Sequence, residues 1–258
     1  LNDLKVVFFD VDGTLARHNS GDNSSILERI PNSTIEAIEQ LHQTDVLPVI
    51  ATGRNRGMIQ DVLEKLQIDN LIANNGRFVE INGKVVKHDT FTDQQLRLIV
   101  QSFNEQGIPF CFETADHLYK NRNSGFEPDS SMELREIDDD AIPEQVIQLI
   151  VRNDQEKPLS MEVPGVKLVK VAKTVYDVTQ DFSNKAVGIQ AFMKESFTDK
   201  SKTMAFGDEE NDLEMFDQVH FAVAMGNAAE VVKKRADFVT TSIEDDGIYQ
   251  GLHHFKLI

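Results

Sequence analysis

Asp10 and Asp12 stand two residues apart in Phe8-Phe9-Asp10-Val11-Asp12-Gly13-Thr14-Leu15, where an apolar run ends in a glycine. Two carboxylates so placed suit nucleophilic catalysis beside a metal ion. Three further stretches carry matching residue types: Thr52-Gly53-Arg54, Lys185, and Gly207-Asp208-Glu209-Glu210-Asn211-Asp212. Clustered carboxylates repel one another and either hold protons or bind a cation. A hard cation with oxygen ligands and several waters, Mg²⁺, answers that demand. Such an ion also neutralises a phosphoryl group, and little remains in phosphoryl transfer beyond positioning and charge stabilisation. Asp10 is then suited to attack phosphorus, giving an aspartyl-phosphate that water hydrolyses. Asp12 is suited to protonate the leaving oxygen and then to activate that water. Thr52 offers a hydroxyl donor to a phosphoryl oxygen, and Lys185 a fixed positive charge.

Each piece alone has a plainer explanation. An isolated Asp-x-Asp is usually a solvated loop. Thr52-Gly53-Arg54 reads equally as a strand-to-helix turn with Thr52 as a cap. A lysine at a helix start is more often on the surface than catalytic. Acids after Gly207 suit a helix amino terminus, which the macrodipole favours. Their common placement is what lifts them.

The elements that place them alternate. Val6 to Phe9 reads as a buried parallel strand, and Gly13 then permits a sharp turn. Residues 16–32 are polar and irregular. Ser33-Thr34-Ile35-Glu36 has the form of a capping box opening a helix. Residues 46–51 form a second apolar strand ending at Thr52. Met58, Ile59, Val62, Leu63 and Leu66 fall at helical spacing, and residues 71–73 make a third strand. Asn82-Gly83 between 78–81 and 84–86 is a hairpin signal. The spacing then predicts a helix over 93–106 closed by Gly107, extended segments near 108–113 and 118–120, and a second helix over 143–152. Strands follow at 166–172 and 175–179. Asp138-Asp139-Asp140 reads as a solvated turn before that second helix. After Asp181 the first rhythm returns: helix 186–194, strand 203–206, helix 211–217, strand 221–224, helix 228–235 and strand 238–239.

The expected fold class is therefore α/β, a Rossmann-like parallel-sheet core split in sequence, with an α+β domain inserted. The expected boundaries are 1–86 and 182–258 for the core and 87–181 for the insertion. All carboxyl ends of a parallel sheet share one edge, so the distant candidate residues meet in one crevice.

The 258 residues carry a net charge of −17. That argues against a general nucleic-acid or membrane-surface partner, since both are polyanionic, and leaves a small phosphorylated substrate. The one cysteine, Cys111, permits no internal disulfide and reads as a small buried hydrophobe between aromatic neighbours. With no visible signal peptide or membrane span, a cytoplasmic location is expected, and a monomer is compatible with it.

At these residues the chain resembles the haloacid dehalogenase (HAD) superfamily. Asp10-Val11-Asp12-Gly13-Thr14 resembles its first motif, Thr52 its second, Lys185 its third, and Gly207-Asp208 through Asp212 its fourth. The insertion resembles the α/β cap of the Cof-like subfamily, whose pattern Ala51-Thr52-Gly53-Arg54 and Asn74-Asn75-Gly76 also fit. The resemblance implies a Mg²⁺-dependent phosphatase acting on a sugar phosphate, nucleotide or cofactor metabolite. Asp10 would be nucleophile and metal ligand. Asp12 would be acid/base and would ligate through its backbone carbonyl. Asp208 would complete the protein ligands, and Asp212 would bind metal-coordinated water or orient the site. Thr52, Gly53, Lys185 and Asn211 would serve the phosphate, and the cap would supply substrate contacts. A phosphomutase using the same aspartates, or a non-catalytic ligand-binding protein, is the rival. The stretch 17–31 is longer than in Cof-like members and reads as a polar surface loop, with His18 a loop histidine, rather than as a flap over the site.

Overall fold

The computed structural model describes residues 3–21, 24–127, 133–154 and 158–258. The chain divides into two units: residues 1–54, 59–88 and 184–258 form the first, and 55–58 with 89–183 form the second. No helix among the described residues is long and apolar enough to cross a membrane.

The first unit is built on an eight-stranded sheet. From one edge its strands run Phe238–Val239, Phe221–Ala224, Thr203–Gly207, Val6–Phe9, Leu47–Ala51, Leu71–Ala73, Phe78–Ile81 and Lys84–His88. The first six are mutually parallel; Phe78–Ile81 runs antiparallel to them and pairs antiparallel with Lys84–His88 across the Asn82-Gly83 turn. The central strands bury every side chain, as helices on both faces of a parallel sheet require. From Val6–Phe9 the early strands step one way and the late strands the other. The order therefore reverses between Val6–Phe9 and Thr203–Gly207, the point where open α/β sheets bind ligands.

Local chemistry explains two departures in the first unit. The helix expected from Ser33 begins earlier, at Asn32–Leu41, with Pro31 before it and no side-chain cap. The Pro31 carbonyl accepts from Thr34 and Ile35 backbone N–H groups, so proline starts the first turn and Ser33 falls inside the helix. The expected helix over 211–217 splits into a 3-10 turn, Glu210–Asp212, and a short helix, Leu213–Phe216. A final helix, Gly247–His254, follows left-handed Asp246, which makes no cap bond.

The second unit carries a six-stranded sheet in the order Val166–Lys170, Val175–Gln180, Gln148–Arg152, Phe110–Glu113, Leu118–Asn121, Leu134–Ile137. Its pairings are antiparallel except the last. The Asp93–Gln106 helix opens with a capping box of Thr92 and Gln95 and ends at left-handed Gly107. Leu96, Ile99 and Phe103 of this helix pack with Phe110, Phe112, Leu149, Val151 and Val178. The helix expected over 143–152 is wrong: Gln148–Arg152 is a central strand. Leu149 and Val151 face the helix-side core while Ile150 joins Cys111 and Leu118 on the opposite face, a period of two that the apolar run had concealed. Asp138 and Asp139 are exposed and accept bonds from Arg122 and Asn123. In the edge strand Leu134–Ile137 only Leu134 and Ile137 are half-buried, and exposed Arg135 and Glu136 between them break the apolar pattern. Cys111 is fully buried, and burial pushes its thiol well above the ordinary range.

Candidate active site

The Val6–Phe9 and Thr203–Gly207 strands pair in register, Phe9 opposite Phe206 with their rings stacked. The Asp10 backbone N–H donates to the Phe206 carbonyl. Asp10 and Asp208 thus leave adjacent strands at the same edge. The loop after Asp10 closes on itself, with Gly13 N–H donating to Ala16 O at 2.7 Å and Ala16 N–H to Val11 O at 2.8 Å. Gly13 has φ +82°, and a Cβ there would lie 2.1 Å from Asp208 Oδ2. Only glycine allows Asp208 to approach this turn.

Lys185 is the first residue of the Lys185–Glu195 helix, which Asn184 caps by accepting from Val187 N–H. This helix lies close to the sheet at Gly188, where a Cβ would meet Ile72 at 2.3 Å. The side chain of Lys185 is 1% exposed, and its Nζ donates to Asp10 Oδ1 and to Asp212 Oδ1, each at 2.6 Å. Asp212 is fully buried, and its Oδ2 accepts from the Asp208 and Glu209 backbone N–H groups. Asp208 is held by Thr14, whose hydroxyl donates to Oδ1 at 2.9 Å, and by His18, whose Nε2 lies 3.0 Å from Oδ2. One oxygen from each of Asp10, Asp208 and Asp212 falls within 4.8 Å of the others.

The electrostatics follow from one lysine among three buried acids. Burial pushes the Asp10 carboxyl well above its ordinary range; Lys185 opposes this, while Asp212 and Asp208 add to it. Burial also lifts Asp208 to about 6, against the bonds from Thr14 and His18. For Lys185 burial works downward but is outweighed by Asp10 and Asp212, so the ammonium is retained. Asp12 behaves oppositely. Burial pushes it up, but Arg54 outweighs that through hydrogen bonds and charge, with help from Arg29 and His18, and the carboxyl is held below its ordinary range. Arg54 donates to both Asp12 oxygens, at 2.7 and 3.0 Å, and Arg29 Nη1 lies 3.8 Å from Oδ1.

The other sequence candidates are placed differently. Thr52 is buried, its N–H donating to Ile72 O and its Oγ1 accepting from Arg54 N–H at 3.2 Å. Gly53 faces the Asn75 side chain, which a Cβ would approach at 3.3 Å. Asn211 is exposed, outside the buried cluster. His18 is no mere loop histidine, since it contacts Asp208. The stretch 17–31, of which residues 22 and 23 lie outside the described set, is more than a surface loop. It brings in buried Arg29, whose Nη1 donates to Arg17 O at 2.6 Å, while Arg17 pairs with Glu244. Sequence reasoning missed Arg54 and Arg29 as partners of Asp12, and Asn227, whose Nδ2 donates to Gly13 O. Arg54 was visible in Thr52-Gly53-Arg54, and Asn227 directly after a strand end. Arg29 carried no signal, for nothing local marks a loop arginine that folds inward.

Residues 7–252 match the family model of haloacid dehalogenase-like hydrolases. The Bacillus subtilis protein YkrA is 30% identical over 267 residues, covering 99% of each chain. A solved protein from Geobacillus kaustophilus HTA426 is 30% identical with a TM-score of 0.83, covering 99% of this chain and 100% of its own. A HAD subclass IIB sugar phosphatase, BT4131, is 26% identical with a TM-score of 0.76, covering 98% and 100%.

Proposed function

Because this chain belongs to the haloacid dehalogenase-like hydrolases, in their Cof-like branch, and is a hydrolase of phosphoric monoesters, we propose that it is a Mg²⁺-dependent phosphatase of small phosphorylated metabolites that works through an aspartyl-phosphate on Asp10. The observation that carries this reading is the single ammonium of Lys185 held between Asp10 and Asp212, with Asp208 alongside. One cation does not balance three buried carboxylates. Burial raises the Asp10 and Asp208 carboxyls, and their acidic neighbours add to it; an all-oxygen donor set fits a hard divalent ion. Asp10, Asp208 and the Asp12 backbone carbonyl would hold Mg²⁺. Asp212, with both oxygens already engaged, would orient the site. When bound, the ion supplies positive charge against the carboxylates and the phosphoryl oxygens.

The protein's own groups carry the proton and phosphoryl steps. Asp10 Oδ attacks phosphorus as the bond to the leaving oxygen breaks, and Asp12, which Arg54 holds as a carboxylate in the free protein, must take up a proton in the substrate complex to give it to that oxygen. Asp12 then takes a proton from water, which attacks the phosphorus of the aspartyl-phosphate and returns Asp10 as a carboxylate. Thr52 is suited to this because its Oγ1 accepts from Arg54 N–H, which leaves its proton for a phosphoryl oxygen. The Gly53 amide and Lys185 would add donors, and Asn211 a further polar contact at the rim. The likeness to a sugar phosphatase supports a sugar phosphate among the substrates to try first.

Asp10→Asn should abolish Mg²⁺-dependent hydrolysis of p-nitrophenyl phosphate, with circular dichroism unchanged. Hydrolysis retained by a folded Asp10→Asn protein would overturn the nucleophile assignment.

A further inference from the structure

We propose that Arg56 and Asp116 are positioning residues for the acid/base, acting through Arg54 on Asp12; the role of Asp12 rests on the phosphatase reading above. Residues 55–58 fall with 89–183 in the second unit, although they directly follow Thr52-Gly53-Arg54 of the first. Three contacts tie them there. Arg56 Nε donates to Asp116 Oδ1 at 2.7 Å and Nη2 to Oδ2 at 2.8 Å. Gly57 N–H donates to the Ala115 carbonyl at 3.2 Å, and a Cβ on Gly57 would lie 1.8 Å from the Asp116 carbonyl oxygen. Only glycine lets the two backbones meet so closely. Met58 packs against the cluster of Cys111, Leu118, Phe126 and Ile150. Asp116 itself sits in a tight turn, closed by Thr114 N–H on the His117 carbonyl at 2.9 Å and His117 N–H on Thr114 Oγ1 at 3.1 Å.

The chain therefore carries two guanidinium forks two residues apart, Arg54 on Asp12 and Arg56 on Asp116. A bidentate pair fixes the plane of both partners as well as their charge. Asn55 alone separates the forks. It is buried, its Oδ1 accepts from Met58 N–H at 2.8 Å, and its Nδ2 has no hydrogen-bond partner among the described residues. A buried donor left unpaired opposes folding, so the path of the chain at Asn55 is imposed by what anchors it on either side. On the first unit's side the Arg54 peptide has single neutral bonds: its N–H reaches Thr52 Oγ1 at 3.2 Å, and its carbonyl accepts from Asn74 N–H at 3.0 Å. The fork on Asp116 is charge-assisted and the stronger anchor. It sets where residue 56 lies and, through one intervening residue, how Arg54 meets Asp12.

Two variants break the joint by different routes. Asp116→Asn keeps the shape and weakens the fork, and Gly57→Ala parts the two backbones without touching a charge. In the full chain without substrate, nitrogen–proton NMR of the Arg54 Nε–H, assigned by its loss in Arg54→Lys, reports the bond to Asp12. Both variants should shift or broaden that signal. On an aryl phosphate with Mg²⁺ each should lower kcat roughly threefold to tenfold, with KM moving less than about twofold. In an Arg54→Lys background the same substitutions should cost less than about 1.5-fold, because the route through Arg54 is already gone. The proposal is overturned if both folded variants keep the wild-type Arg54 Nε–H signal, or if their loss of kcat is as large in the Arg54→Lys background as in the wild type. The NMR readout needs no hydrolysis. A wild-type protein inactive on phosphate esters would overturn the phosphatase reading, while a shifted Arg54 signal would still support the link from Asp116 to Arg54.

Discussion

Arg54 holds Asp12 with two hydrogen bonds, Nε to Oδ2 at 2.7 Å and Nη2 to Oδ1 at 3.0 Å. A guanidinium matches both oxygens of a carboxylate at once, which fixes the plane of the acid as well as its charge. The pair holds Asp12 as a carboxylate, the form that the proposed activation of water requires. Arg54→Lys keeps the charge and loses the fork. It should lower kcat by roughly tenfold to a hundredfold, below the loss for Asp12→Ala, which should approach the roughly 10²–10⁴-fold usual for a general acid–base. Steady-state kinetics on an aryl phosphate check this, and equal kcat for Arg54→Lys and wild type would remove Arg54 from the account.

Lys185 shows what the fold invests in the cluster. Lys185→Met leaves Asp10 and Asp212 without their shared partner in a buried place. Removing one partner of a buried ion pair costs on the order of 3–5 kcal/mol. Urea unfolding of the metal-free protein should reveal a loss of that order, together with loss of hydrolysis. Mg²⁺ should recover part of the stability, since a cation would again face the carboxylates, but not the activity.

The sequence made the parallel core legible because each of its strands is a short apolar run followed by a turn residue. Asp10, Thr52 and Asp208 could therefore be placed at strand ends without coordinates. Lys185 could be placed at a helix start. What it hid lies where side chains turn inward from polar segments. Arg29 and His18 come from a stretch with no periodicity, and their direction is set by Arg17, Glu244 and Asp208, all distant in sequence or in kind. The Gln148–Arg152 strand was concealed because Val146, Ile147, Leu149, Ile150 and Val151 are all buried apolar residues, so the run satisfies helical and strand spacing alike.

Asp177 makes the second unit pH-sensitive. Burial lifts its carboxyl to about 7, against the bond from Gln148. Its folded value lies above the unfolded value of 3.8, so the protonated form supports the fold. That contribution is complete below about pH 4 and is lost as pH rises through about 7. Asp177→Asn keeps the shape without the charge. It should raise stability at pH 8 by on the order of 1–2 kcal/mol, allowing for its partial exposure, and change little at pH 4. Unfolding midpoints at the two pH values decide it; an equal shift at both would remove the carboxyl as the cause.

Metal should act most strongly where the carboxylates are charged. Asp10 and Asp208 are both raised by burial, Asp208 to about 6. In metal-free protein the support Asp208 gives the fold is present below about pH 4 and is lost as pH rises through about 6, and Asp10 loses its own in the same direction as its carboxyl ionises. Asp12 runs the other way, its lowered carboxyl contributing above about pH 4 and ceasing to do so in acid. Mg²⁺ binds carboxylates rather than carboxylic acids, so the stability it adds should grow from pH 5 to pH 7.5. Thermal unfolding with Mg²⁺ at about 5 mM against a chelator should show a larger increase at pH 7.5. A constant increase across that range would mean the ion binds elsewhere than this cluster.

Gly13 ties the turn chemistry to the metal chemistry. Its φ of +82° disfavours any side chain, and a Cβ would stand 2.1 Å from Asp208 Oδ2 and 2.4 Å from His18 Nε2. Gly13→Ala must therefore either shift the turn that carries Asp12 or push Asp208 off its place beside Thr14. Left-handed strain alone costs roughly 1–2 kcal/mol, which a domain with an extensive buried core should survive folded. The displaced carboxylate should cost more in function than in stability: Mg²⁺ affinity should fall at least about tenfold and hydrolysis with it. Calorimetric Mg²⁺ titration of Gly13→Ala beside its unfolding curve separates the two. A variant that loses stability but binds Mg²⁺ as the wild type does would show that this close approach serves the fold and not the ion.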